Sequence, residues 1–236
     1  MTQLIIIILA AWLSGLMAFI GGVFARYEGS TETEAKRKFV HGVVAFGGGI
    51  LIAAVAFALV PEGISRLNLW VMSIAFLSGG LLFCAVDVFL AKRGTSAAQF
   101  MAMLLDFVPE AISLGAVFSD NRRLGILLAV YIGCQNLPEG FNAFREMVKS
   151  GQHASLVLVT LFGASLLGPA AACAGFFLLR EQMEWTAGIM TFAGGGILYL
   201  IFKDIAPLSD MPKHWSPSLG AVLGFLVGMI GKKCIG

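Results

Sequence analysis

The feature that most constrains this chain is a succession of apolar runs, each close to the length that crosses a lipid bilayer. A hydrocarbon core about 30 Å thick requires roughly 20 apolar residues in a helix. Runs of this kind occupy residues 4–24, 40–60, 69–90, 97–118, 124–144, 154–179, 185–205 and 217–230, the last being short. Inside lipid, backbone polar groups must be satisfied within the segment, which selects helices. The pattern therefore predicts an all-α membrane protein with eight transmembrane helices in a single domain over residues 1–236. Charged residues make up 13% of the chain. A soluble domain carries about 25%, so the charge available is too small to coat a water-exposed surface, and the bilayer is the expected partner. The first run has no basic stretch before it and is long for the apolar part of a signal peptide. It reads as a retained first span.

The connections are brief, and the one polar loop of note covers residues 26–38. Loop Lys and Arg residues set orientation. The loops after spans one, three, five and seven hold nine of them (Arg26, Lys36, Arg37, Lys38, Lys92, Arg93, Arg145, Lys149 and Lys213). The opposite side holds six (Arg66, Arg122, Arg123, Arg180, Lys232 and Lys233). Both termini are accordingly expected outside the cytoplasm, in the inner cell membrane. An internal repeat is visible too. Gly47-Gly48-Gly49-Ile50-Leu51 with Pro61 in span two matches Gly194-Gly195-Gly196-Ile197-Leu198 with Pro207 in span seven. Those spans cross in opposite directions, so the repeat is inverted, a plan shared by many secondary transporters.

Ionisable residues inside spans are costly and mark function by default. Spans four and five carry a shared pattern. Asp106-Phe107-Val108-Pro109-Glu110 lines up with Gln135-Asn136-Leu137-Pro138-Glu139. In each, a polar side chain precedes a mid-span Glu by one helical turn on the same face. Each proline lacks an N–H and frees the carbonyl four residues back, at Leu105 and Cys134. Facing one another, these helices would gather Asp106, Glu110, Gln135 and Glu139, with Asn136 adjacent. Several carboxylates in a low-dielectric setting cannot all stay ionised without a counter-charge, whether a divalent cation, protons or Lys203 of span seven. An oxygen-rich set suits hard or borderline cations. Lys203 and Asp204 are neighbours in span seven; either one of them faces the same site, or the two pair with each other or Lys203 reaches to an interface. Asp87 is assigned to the membrane interface, and Glu62, in another Pro-Glu-Gly, to a helix end. The histidines His41, His153 and His214 read as surface residues and the cysteines as packing. No HExxH or GxSG motif occurs, so an intramembrane protease, and an enzyme generally, is not expected.

The two consecutive Pro-Glu motifs, in spans four and five of an eight-span chain, resemble those of the ZIP (Zrt/Irt-like) divalent-metal transporters. The resemblance runs over nearly the whole chain. It implies a 3+2+3 arrangement with helices 1–3 and 6–8 related as an inverted repeat, a homodimer, and a binuclear site. One metal position would be held by Asp106, Glu110, Gln135 and Glu139, and a second by Glu110, Asn136, Glu139 and Asp204. Three residues depart from the family pattern. Asp106 stands where His is usual, Phe107 stands where Asn is usual, and Lys203 puts an ammonium near the second position. The loss of imidazole shifts preference from zinc toward oxygen-binding ions. A fixed charge at the second position suggests a single-ion site.

The expectation is thus a transporter of divalent metal ions as substrate (Zn, Mn, Fe or Cd), with no organic cofactor and no nucleic-acid partner. Alternating access would expose a site between helices four, five and seven. The alternatives are a degenerate member of the fold acting as metal sensor or scaffold, and transport of a different cation.

Overall fold

The computed structural model describes residues 2–28, 33–93 and 98–235. Part of the expected first loop (29–32) and the start of the expected fourth span (Ala97) lie outside the described residues. The described residues form eight helical rods. They are α1 (Thr2–Glu28), α2 (Glu34–Arg66), α3 (Leu69–Arg93), α4 (Ala98–Asp120), α5 (Arg122–Lys149), α6 (Ala154–Leu179), α7 (Met183–Ser209) and α8 (Leu219–Ile235). Six of them, all but α5 and α8, are long and apolar enough to cross a membrane. With 28 residues, α5 has the length but carries several polar residues. It lies among α1, α2, α4 and α8, where its polar side chains are shielded. Helix α8, with 17 residues, is shorter than the roughly 20 a straight crossing requires.

The helices outrun the apolar stretches that announced them. The expected loop over residues 26–38 is largely helix. Helix α1 continues to Glu28, and α2 begins at Glu34, where Thr33 caps it by accepting from the Lys36 N–H. Helix α2 also passes through Pro61, and α7 through Pro207. In both, a single wide π turn comes first, Val55–Leu59 and Ile201–Ile205. A proline cannot donate to the carbonyl four residues back and crowds it. Widening the turn relieves that clash without ending the helix. In α6 the relief takes another form. Pro169 removes the donor to the Ser165 carbonyl, and the helix breaks at Leu166.

Principal contacts come in matched pairs. Helix α1 packs on α5 as α6 packs on α4, α2 on α8 as α7 on α3, and α2 on α5 as α7 on α4. Helices α4 and α5 pack on each other. The matching extends to single residues. A Cβ on Gly49 would strike the Ala221 carbonyl oxygen of α8, and one on Gly195 the Phe76 carbonyl oxygen of α3. Gly21 meets Leu137 of α5 as Gly175 meets Ile112 of α4. Gly140 meets Ala18 of α1 as Gly115 meets Ala172 of α6. Small residues permit such backbone-to-backbone approach between membrane helices.

Candidate metal site

At the centre of the α4–α5 contact, the Gln135 side-chain amide donates to Glu110 Oε2 over 2.6 Å. Both side chains are buried. In the register that matches Gly115 with Gly140, Glu110 and Gln135 are each other's counterparts. The remaining carboxylates lie one turn away, both toward the face that holds the α1–α2, α3–α4, α5–α6 and α7–α8 connections. Asp106 precedes Glu110 by a turn and Glu139 follows Gln135 by a turn, on antiparallel helices. They line a cavity of 20 Å³ together with Asp204 of α7, and Ala102, Met103, Leu200 and Ile205 complete its apolar wall. That volume matches one small ion or one water.

Among the described residues, four buried oxygens of the two Pro-Glu motifs have no hydrogen-bond partner: Asp106 Oδ1, Gln135 Oε1, Asn136 Oδ1 and Glu139 Oε2. All four are acceptors. Buried acceptors are normally satisfied, since leaving one bare costs about 1–3 kcal/mol. A concentration of them suits a donor or a cation. Among the described residues no Lys or Arg pairs with Asp106, Glu110 or Glu139, and no three His, Cys, Asp or Glu side chains stand close enough to grip a metal ion directly. The carboxylates border a common space rather than forming a closed cage.

Asp204 also lines a second cavity of 590 Å³, which reaches the connection-bearing face past His41, Asp87, Arg145, Glu146 and Lys203. Leu105, whose carbonyl Pro109 frees, lies on its wall. The other side of the Glu110–Gln135 bond is built differently. There the counterparts of Asp106, Glu139, Asp204 and Ile205 are Tyr131, Leu114, Ala58 and Leu59, all buried in the apolar core. Tyr131 donates its hydroxyl to the Gly228 carbonyl of α8 over 2.8 Å. Nearer the terminus-bearing face, Arg66 of α2 joins Glu62 at 2.8 Å and Asp120 of α4 at 2.9 Å.

The structure therefore brings Asp106, Glu110, Gln135 and Glu139 together and adds Asp204. It turns Asn136 partly away, since its amide nitrogen donates to the Ser14 carbonyl of α1 over 3.1 Å. Phe107 faces elsewhere, with its ring wedged against Gly15 of α1 and Gly168 of α6. Lys203 is not a partner of the α4–α5 carboxylates. It pairs with Asp204 and with Asp87 of α3. Asp87, expected at the membrane interface, accepts from Tyr199 at 2.9 Å and borders the larger cavity. His41 lies on α2, lines the same cavity and bonds through Nδ1 to the Leu208 carbonyl at 2.8 Å. The signal for Asp87 was present as a charge in an apolar run, but only packing supplies its partners.

No protein-family model matches the chain. It is similar to the zinc transporter GufA of Myxococcus xanthus, with 28% identity over 132 residues. The match covers 55% of this chain and 52% of that protein, about half the length of each.

Proposed function

We propose that the chain carries a divalent metal cation across a membrane through the site between α4, α5 and α7. The observation that carries this reading is the pair of partnerless buried oxygens, Asp106 Oδ1 and Glu139 Oε2, on residues that line a cavity of ionic size, with Asp204 shared between that cavity and the larger one. Similarity to a zinc transporter supports the substrate class. All eight helices would span, with α5 shielded by its neighbours and α8 tilted little. The matched contacts support an inverted repeat of α1–α3 and α6–α8 around the α4–α5 pair. Alternating access then means that the apolar plug around Tyr131 opens as the larger cavity closes. The connection-bearing face is the cytoplasmic one by its excess of Lys and Arg. A homodimer and an inner-membrane location belong to the same reading. Flux of Mn²⁺, Fe²⁺, Zn²⁺, Cd²⁺ and Mg²⁺ into proteoliposomes tests it. Uptake of at least one ion, abolished in Glu139→Ala protein that still folds, is expected. Absence of flux for every ion refutes transport.

One observation favours the second reading, a metal-binding sensor or scaffold. The Lys203 ammonium lies in the mouth through which an ion would leave. Stoichiometric binding without flux would decide for it.

A further inference from the structure

The larger cavity holds a charged group that the proposed site leaves unused. Lys203 Nζ lies 3.5 Å from Asp87 Oδ2 and 3.6 Å from Asp204 Oδ1. Asp87 is steadied by the Tyr199 hydroxyl, so the ammonium is shared between a braced carboxylate on α3 and a second one on α7. Asp204 is the polar residue common to both cavities. An ion moving between the α4–α5 site and the connection-bearing face must pass a carboxylate that already has a cation. The placement depends on the π turn at Ile201–Ile205. A wide turn rotates successive side chains through a smaller angle than an α turn, and this lets Lys203 and Asp204 both face the cavity.

Within the transport reading above, on which it rests, we infer that Lys203 is a tethered cation that competes with the transported ion for Asp204. The chain then holds its divalent ion between α4 and α5, with an ammonium on the Asp204 side of it. The lysine can give way because it has an alternative partner. When an ion engages Asp204, the ammonium remains on Asp87. That makes Asp87 a positioning residue rather than a ligand. Its removal would leave Lys203 with Asp204 alone and make the competition harder to win.

The test is equilibrium binding of Mn²⁺, followed by electron paramagnetic resonance, to the full chain in nanodiscs. Wild-type protein is expected to bind one Mn²⁺ per chain. Lys203→Met should bind a second ion, or the first about tenfold more tightly, because a unit charge a few ångströms away no longer opposes it. Lys203→Arg should resemble wild type. Asp87→Asn should weaken binding. A purely structural Lys203–Asp87 bridge predicts otherwise, since both variants lose the same bridge and would shift binding in the same direction. That result, or an unaltered Lys203→Met, overturns the inference while leaving the α4–α5 site intact. Should Lys203→Met fail to fold, the opposite signs expected of Lys203→Gln and Asp87→Asn carry the same decision. Wild-type protein that binds no Mn²⁺ and moves no ion removes both this inference and the transport reading.

Discussion

The tripeptide Pro-Glu-Gly occurs twice, at Pro61-Glu62-Gly63 and Pro138-Glu139-Gly140, and this repetition allows a clean test of the site. Glu62 is partly exposed and bound to Arg66 near the terminus-bearing face. Glu139 is 7% exposed, has an oxygen without a partner, and borders the 20 Å³ cavity. Consider Glu→Gln at each. The change keeps size and shape and removes one negative charge. Two unit charges 4 Å apart interact by about 4 kcal/mol at an effective dielectric constant near 20. A divalent ion doubles that attraction, and the ion's own dehydration offsets part of it. A net loss of about 4 kcal/mol, near a thousandfold in Kd, is therefore expected for Glu139→Gln. For Glu62→Gln, whose exposed ion pair is worth about 0–1 kcal/mol, metal affinity should be unaltered. Titration of Mn²⁺ or Zn²⁺ into each purified variant, with thermal unfolding as a check on integrity, measures both. Glu139→Gln protein that folds and binds within about threefold of wild type, a difference under 1 kcal/mol, would refute the site.

Three further outcomes follow from the packing. Phe107→Asn restores the residue usual in the resembled family, yet its side chain would sit against Gly15 and Gly168. It should lower the thermal midpoint, by a loss of about 3–5 kcal/mol as for other large-to-small core changes, without adding a bound metal ion. Gly49→Ala and Gly195→Ala should destabilise by forcing apart helices in backbone contact, whereas Gly42→Ala, which meets open space, should be neutral or gain up to about 1 kcal/mol from helix propensity. Denaturation scans of the three variants separate these effects. Tyr131→Phe removes the hydrogen bond to the Gly228 carbonyl and should cost about 1–3 kcal/mol of stability by the same measurement, since a buried acceptor is left bare.

The helices were legible because the bilayer leaves so few options, and their ends were not. Nothing in the apolar run reveals that α2 and α7 continue past Pro61 and Pro207, since the π turns that permit it are a backbone adjustment. The candidate site was legible to the extent that charge in an apolar run is rare, which singled out Asp106, Glu110, Glu139 and Asp204 as the residues to look for. The likeness of the two Pro-Glu motifs misled in one respect. It aligns Glu110 with Glu139, whereas the packing matches Glu110 with Gln135, one turn away. That slip puts Asp106 and Glu139 on the same side of the centre and leaves Tyr131 and Leu114 on the other. The asymmetry is a property of two helices in contact, beyond the reach of either motif read alone. The same holds for Asp87, whose partners Tyr199 and Lys203 are distant in sequence.

The glycine contacts have a mechanical consequence. Those that bring backbone against backbone join α1 to α5 and α6, α4 to α5 and α6, α2 to α8 and α3 to α7. Among the described glycines, none has its nearest contacts with main chain across α5 and α2 or across α4 and α7; at Gly47 of α2 the Pro138 ring of α5 lies closest. Main chains in direct contact leave no slack, but side chains can change rotamer and slide. The backbone contacts thus sort the helices into two bodies that meet at a seam, α1, α4, α5 and α6 against α2, α3, α7 and α8. Asp106 and Glu139 belong to one body and Asp204 to the other. An ion held by all three would act as a pin through the seam, and its departure would free the bodies to shear.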